Sequence, residues 1–406
     1  MRDYQEKICG QAIGCLKSHR FVYLAMEVRT GKTLTSLSAC EGLDNIDHVL
    51  FITKKKAISS ITADSDLMCP SYALFVINYE SLHKLPDVKW DVIICDEAHS
   101  MGAFAKASNR AKTVKALIQK HNPYVILLSG TPTPESYSQM YHQVYGIPTN
   151  PFSRYKNFYK FAYDHINVTQ KKINSNYVND YTKGLPSIMD AMKPYIISYT
   201  QKQAGFKVET TEHILKVPMS KQTYSLASQL KKHLVVEGKE EVILADTGVK
   251  LMMKLHQIFS GTVKFESGNS QILDNTKAKY IKNYFKGKKI GIFYKFKEEL
   301  NVLKQVFGDD LTTELSVFED TSKNIALQIV SGREGISLRH ADALVYYNID
   351  FSATSYWQSR DRMTTQDRVQ NKVYWVFSER GIEEKIYKAV TKKKDYTLSH
   401  FREDFY

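Results

Sequence analysis

The sequence predicts an α/β protein: two parallel-sheet units with a mostly helical insertion and connector between them. Three observations carry that expectation. Short β-branched apolar runs such as Asp91-Val92-Ile93-Ile94-Cys95 and Tyr124-Val125-Ile126-Leu127-Leu128 are too brief for helices and read as buried parallel strands. Helical segments alternate with these runs, the pattern of a parallel sheet wrapped by helices. Chemistry-bearing residues stand where the runs end, Gly31-Lys32-Thr33 after one and Asp96-Glu97-Ala98-His99 after another. The carboxyl ends of strands are where open α/β sheets place their ligands.

Composition narrows the class. With 406 residues, 43% hydrophobic and 24% charged, the chain has material for two cores. No apolar run approaches bilayer length, and Met1-Arg2-Asp3-Tyr4 does not open a signal peptide, so no membrane role and a cytoplasmic location are expected. Cys9, Cys15, Cys40, Cys69 and Cys95 form no CxxC or Cys/His cluster and read as thiols of a reducing compartment. A formal net charge of +13 points to a polyanionic partner.

In chain order, Arg2-Asp3-Tyr4-Gln5 opens an amphipathic helix running to about Lys17. A glutamine ahead of a nucleotide site can read adenine, because its amide both donates and accepts. The strand Phe21–Ala25 then leads to a phosphate loop. A strict GxxxxGK[ST] pattern needs Gly at the position of Met26, so only its working end survives. Backbone N–H groups around Thr30, Gly31 and Lys32 can meet phosphate at the start of a helix Lys32–Cys40. Lys32 would reach the β and γ oxygens, and the Thr33 hydroxyl would ligate Mg²⁺. The strand His48–Thr53 runs into Lys54-Lys55-Lys56, which suits either a solvated face or a nucleic-acid backbone. Tyr72–Glu80 is another strand-to-loop stretch. Next, Asp96 can hold Mg²⁺ while Glu97 orients or deprotonates a water. After a basic helix near Ala111–His121, Tyr124–Leu128 ends in Ser129-Gly130-Thr131-Pro132, whose hydroxyls are suited to sensing the neighbouring metal site. A phosphate cradle with a metal carboxylate predicts ATP hydrolysis.

From Pro151 the texture changes. Phe152–Ile166 and Lys171–Tyr181 are rich in Tyr, Asn and Lys without a clear strand pattern. Residues 1–150 are expected to form the first unit, 151–267 the helical insertion and connector, and 268–406 the second unit. Pro194–Tyr199 is expected to return as a strand to the first sheet, with helices at Lys221–His233 and Thr247–Phe259. In the second unit, strands are expected at Lys289–Tyr294, Ile325–Val330, Ala343–Tyr347 and Val373–Phe377, with helices at Lys297–Phe307 and Ile382–Val390.

This order of motifs resembles superfamily 2 helicases and translocases, specifically the Snf2-like branch. Arg2–Gln5 resembles the adenine-reading entry segment, and Glu27–Thr33 resembles motif I, where that branch typically has Gly at the position of Arg29. Asp96–His99 resembles motif II, a DEAH box, and Ser129–Pro132 motif III. Leu128–Tyr141, the helix Leu251–Ile258, Ser331–Leu338 (motif V) and Gln358–Arg362 (motif VI) complete the resemblance. It implies two RecA-like lobes with ATP between them and nucleic acid across both. By the same resemblance Gln5, Thr30, Gly31, Lys32, Thr33 and Gly335 bind the nucleotide, and Thr33 and Asp96 bind Mg²⁺. Glu97 activates water, while Gln358 and Arg362 act at the γ-phosphate. Thr53, Lys54, Asn78, Ser331 and Gly332 contact the nucleic-acid backbone. Motif VI usually carries a second Arg at the position of Thr365. Either Arg362 works with Arg360 or Arg368, or hydrolysis is slow.

The compact chain resembles a bacterial or phage enzyme, at work in the cell or the infected host. The expected activity is ATP-dependent translocation on duplex or branched DNA, remodelling forks or recombination intermediates. An RNA helicase and an ATP-gated nucleic-acid clamp with weak turnover are the alternatives.

Overall fold

A computed structural model describes residues 1–173, 176–238, 240–329, 337–352, 355–356, 359–360, 362–365 and 368–392. The chain divides into two compact units, Met1–Phe206 and Lys207–Tyr406.

The first unit is a six-stranded, wholly parallel sheet wrapped by helices. Its strands are β1 (Phe21–Met26), β2 (His48–Thr53), β3 (Ala73–Asn78), β4 (Val92–Cys95) and β5 (Tyr124–Leu128), then after a hairpin of β6 (Thr169–Ile173) and β7 (Asn176–Asp180), β8 (Ile196–Tyr199). The order across the sheet is β3-β2-β4-β5-β1-β8, so the expected return of the chain at β8 is observed. Successive side chains of β1 serve two cores. Phe21 and Tyr23 pack on one face of the sheet, and Val22, Leu24 and Met26 on the other. Burial on both faces is why these strands read as continuous apolar runs rather than alternating ones. Helix α1 (Asp3–His19) turns Ile8, Cys9, Ala12 and Leu16 inward at helical spacing. Helix α2 (Lys32–Glu41) follows the phosphate loop, α3 (Ile58–Met68) follows β2, and α4 (Asn109–His121) precedes β5.

The second unit repeats the architecture. It contains β9 (Glu209–Val217), two short antiparallel ribbons, β10–β11 (Val235–Glu237, Val242–Leu244) and β12–β13 (Thr262–Lys264, Ser270–Ile272), and then β14 (Ile290–Tyr294), β15 (Leu311–Thr312), β16 (Asn324–Gln328), β17 (Ala343–Tyr346) and β18 (Gln370–Ser378). The parallel sheet runs β15-β16-β14-β17-β18-β9. The helices Lys221–His233, Gly248–Phe259, Lys297–Phe307 and Glu383–Val390 form as expected.

Of residues 151–267, expected as a helical insertion and connector partly returning to the first unit, 151–206 lie in the first unit and the rest in the second. The stretch is less helical than expected. Strand β9 pairs with β18 over nine residues, from Glu209 opposite Gln370 to Val217 opposite Ser378. Its sequence, Glu-Thr-Thr-Glu-His-Ile-Leu-Lys-Val, is polar because the strand lies at the sheet edge with one ladder open, so no apolar run announced it. The hairpin β6–β7 was hidden for the same reason. Among the described residues no helix is long and apolar enough to cross a membrane.

Candidate active site

The phosphate loop, the acidic pair and Ser129–Thr131 follow β1, β4 and β5, whose parallel pairing puts all three on one edge of the first sheet. Gly31 is the N-cap of α2 with φ 86°, a left-handed backbone that glycine adopts without strain. The N–H groups of the first turn of α2 therefore open toward the loop, as anion sites at helix starts require. The Lys32 ammonium donates to the carbonyls of Met26 (2.9 Å) and Glu27 (3.2 Å), which holds it curled within the loop. Thr33 lies in the first turn of the helix and is half-buried. Thr30 is fully buried, and its hydroxyl donates to Glu27 O at 2.7 Å.

Gln5 is buried beside this loop. Its carboxamide oxygen accepts from Arg2 N–H at 2.8 Å, and its amide donates to Thr30 O at 3.4 Å. Tyr4 donates to the same carbonyl at 3.2 Å and stacks on Tyr199 with 4.8 Å between ring centroids. The loop is clamped from its other side by the segment after β8. Gln201 N–H donates to the Glu27 carboxylate at 2.6 Å, and its side-chain amide donates to Val28 O at 3.0 Å. The sequence carried a signal for Tyr4, which adjoins Gln5, and none for Tyr199 or Gln201.

Asp96 and Glu97 have different surroundings. The Thr53 hydroxyl donates to Asp96 Oδ2 at 2.8 Å, and Tyr79 donates to the Asp96 carbonyl at 2.7 Å. Desolvation, and after it the Glu97 carboxylate, push the Asp96 carboxyl above its ordinary range, while Thr53 and the Lys32 ammonium oppose the rise. Lys32 and Asp96 thus stand at the same edge of the first sheet, after β1 and β4. Glu97 has φ 50°, uncommon for a residue with a β-carbon and typical of strain held at a working site. Its carboxylate lies 3.2 Å from His99 Nδ1, which is also 2.9 Å from Ser129 Oγ, and that oxygen accepts Thr131 N–H at 3.1 Å. A continuous polar chain thus runs from the acidic pair to Ser129–Thr131.

Of the expected nucleic-acid contacts, Thr53 is fully buried and its hydroxyl donates to Asp96, a placement suited to holding Asp96 rather than meeting a backbone. Lys54 is half-buried at the turn out of β2, and Asn78, at the end of β3, donates to Glu80 at 3.1 Å. Ser331, Gly332, Gly335 and Gln358 lie outside the described residues. Arg362 is buried in the second unit, where its carbonyl accepts Leu338 N–H at 2.9 Å. Of the two arginines considered as its assistants, Arg360 pairs with Glu212 at 3.1 Å. Arg368 donates to the carbonyls of Gln370 (3.1 Å), Arg339 (3.0 Å) and Ala341 (2.8 Å), so its guanidinium is a clasp between loops.

Comparison with known proteins adds the family. The SNF2-related domain matches residues 36–273, a stretch that holds Asp96–His99 and Ser129–Pro132. The CHD3-type chromatin-remodeling factor CHR7 of Arabidopsis thaliana is 20% identical over 369 residues, covering 80% of this chain and 28% of that protein. The chain therefore spans under a third of the length of this curated relative. Two solved structures are similar, both with TM-score 0.42. They are the Sulfolobus solfataricus SWI2/SNF2 ATPase core in complex with dsDNA (15% identity, 99% of this chain and 92% of that one) and the core domain alone (17%, 96% and 88%). With the matched domain spanning more than half of its residues, this chain belongs to the SNF2-related family.

Proposed function

We propose that the chain is a nucleic-acid-dependent ATPase that translocates on duplex or branched DNA, with ATP and Mg²⁺ as its cofactors. The observation that carries this reading is that the Gly31 turn with Lys32 and the Asp96–Glu97 pair follow strands ending at one edge of the same parallel sheet. Lys32 and the first-turn N–H groups of α2 bind the phosphates, with Gln5 beside them for adenine. Asp96 and Thr33 would hold Mg²⁺, which supplies charge neutralisation at the phosphates. One carboxylate and one hydroxyl suit an ion that takes most of its remaining ligands from phosphates and water, and among the described residues no cluster of three or more His, Cys, Asp or Glu offers a protein-only cage. The raised Asp96 carboxyl fits as well, because a cation there relieves its repulsion with Glu97. Glu97 is the base or water-orienting group, and His99 links its state to Ser129 and Thr131.

DNA as the polyanion is supported by SNF2-related membership, by the name of the relative CHR7 and by the charge of +13. Forks and recombination intermediates are the proposed substrates among DNA structures. A second reading, a clamp with weak turnover, is favoured by one observation: among the described residues, the two arginines considered as partners of Arg362, Arg360 and Arg368, are both engaged within their own unit. ATPase rates on single-stranded, duplex, forked and four-way DNA, with RNA as control, separate these readings. Stimulation by duplex or branched DNA supports translocation, whereas stimulation by RNA alone overturns it. Tight DNA binding with negligible turnover supports the clamp. In the same assay Glu97→Gln retains ATP and loses hydrolysis, while Lys32→Ala loses both.

A further inference from the structure

Strand β7 takes no part in the site described above, yet it walls a groove. With Tyr159 of the helix Phe158–His165 and the loop at Phe104 it borders an open groove of about 650 Å³ within the first unit, lined in part by Tyr177, Val178 and Tyr181. That volume falls in the ~300–1,000 Å³ range of ligand clefts.

The aromatic rings here exceed what folding uses. Phe158, Phe161 and Ala162 are the buried face of the helix, whereas Tyr159 is 55% exposed, and Tyr163, one turn further along the same face, is 88% exposed. Across the groove Tyr177 is 68% exposed. The frame holding them is fixed. The Tyr181 ring packs edge-on against Phe158 at 5.3 Å, its carbonyl accepts the Ser138 hydroxyl at 2.7 Å, and Asp180 accepts both Thr182 N–H (3.0 Å) and the Thr182 hydroxyl (2.7 Å).

The surrounding charge selects the partner. Lys106, Lys160 and Lys183 are exposed and adjoin in sequence the groove residues Ala105, Tyr159 and Thr182. Of the nearby acids, Asp180 is buried and Asp164 lies 4.0 Å from the Arg154 guanidinium, so the exposed charge beside the rings is mostly positive. Exposed rings interleaved with lysines fit a polyanion that carries flat faces. Bases in a duplex are already stacked on their neighbours and offer none, whereas unpaired bases do.

We propose that this groove binds unpaired nucleotides of a DNA strand, bases stacking on Tyr159 and Tyr177 and phosphates meeting Lys160 and Lys183. The proposal rests on the nucleic-acid partner argued above and makes branched or gapped DNA the preferred substrate over blunt duplex.

The test measures affinity, by fluorescence anisotropy, of the full chain for a blunt duplex and for the same duplex with a single-stranded overhang. The parent is expected to favour the overhang. Replacing Tyr159 and Tyr177 together by Ala is expected to lower overhang affinity about 10-fold or more while leaving blunt-duplex affinity and the melting temperature unchanged. The pair Tyr159→Phe and Tyr177→Phe, which keeps both rings, is expected to bind as the parent does. Unchanged overhang affinity in the alanine pair overturns the groove proposal alone and leaves the tyrosines to a protein partner. Equal weakening on both DNAs also overturns it, since the groove would then grip backbone and not bases. A parent that binds neither DNA overturns both this proposal and the nucleic-acid reading on which it rests.

Discussion

Gln5 lies directly against Gly31: a β-carbon built on Gly31 would stand 1.7 Å from Gln5 Nε2. The entry segment and the phosphate loop are thus in contact. Two effects oppose a side chain at Gly31, this collision and the left-handed φ of 86°. Gly31→Ala is therefore expected to weaken ATP binding by at least about 10-fold, read with a fluorescent nucleotide, a change worth ~1.4 kcal/mol. Gln5→Ala removes the collision together with the proposed adenine contact, so the double variant is compared with Gln5→Ala alone and is expected to bind ATP more weakly than it by the cost of the backbone strain. Equal affinities of those two variants would mean that the backbone conformation costs nothing.

Arg29 tests strain separately. It has φ 64° at a position where the Snf2-like branch typically has glycine. Left-handed backbone costs a residue with a β-carbon roughly 1–2 kcal/mol. Arg29→Ala and Arg29→Gly lose the same side-chain contacts, and only the second loses the strain. The glycine variant is expected to be more stable than the alanine variant by about 1 kcal/mol in urea unfolding. Equal stabilities would show that the loop relaxes.

Thr53 separates a positioning role from a nucleic-acid contact. Thr53→Val keeps the shape and removes the hydroxyl that holds Asp96, so hydrolysis at saturating ATP is expected to fall about 10-fold with DNA affinity unchanged. Thr53→Ser keeps the donor and restores the rate. Loss of DNA affinity in the valine variant, with normal hydrolysis, would return Thr53 to the DNA surface.

The lysines after β2 carry the electrostatic test. If the positive charge serves DNA binding, affinity falls by roughly 10³–10⁵ between 50 and 200 mM salt for a grip on ~6–10 phosphates. Replacing Lys54, Lys55 and Lys56 by Ala is expected to flatten that slope without altering sequence preference. An unchanged slope would assign these lysines to the solvated face.

Asp274 gives the second unit a defined acid response. It accepts Ser220 N–H (2.8 Å), the Thr223 hydroxyl (2.7 Å) and Thr276 N–H (2.9 Å). These donors outweigh burial, which acts in the opposite direction, and lower the carboxyl from 3.8 to about 2. A depressed folded-state pKa stabilises above the unfolded value and ceases to do so as pH falls through the folded one. Its contribution, about 2 kcal/mol, is therefore present above pH ~4 and lost toward pH ~2. Asp274→Asn is expected to lower stability by about that amount at pH 7, with the gap to the parent closing below pH 4. A gap independent of pH would assign the effect to lost shape and not to charge.

The sequence by itself determined the strands buried on both faces and the motifs at their ends. Phe21–Met26, His48–Thr53 and Tyr124–Leu128 are continuous apolar runs because helices cover both sides of the sheet, so composition alone announces them. The placement of Lys32, Asp96 and Glu97 past strand ends was legible for a related reason, because each follows an apolar run in the sequence. Tertiary structure decided everything that depends on partners distant in sequence. Strand β9 exists because β18 offers it a ladder, which its polar sequence does not reveal. Thr53 is placed to hold Asp96 because that residue, 43 residues away, takes its hydroxyl. Gln201 clamps the phosphate loop from 174 residues beyond Glu27, and Arg368 is held by carbonyls of another loop. Periodicity and motif spacing report local conformation and burial, whereas a hydrogen bond between distant segments is set by the packing that brings them within 3 Å.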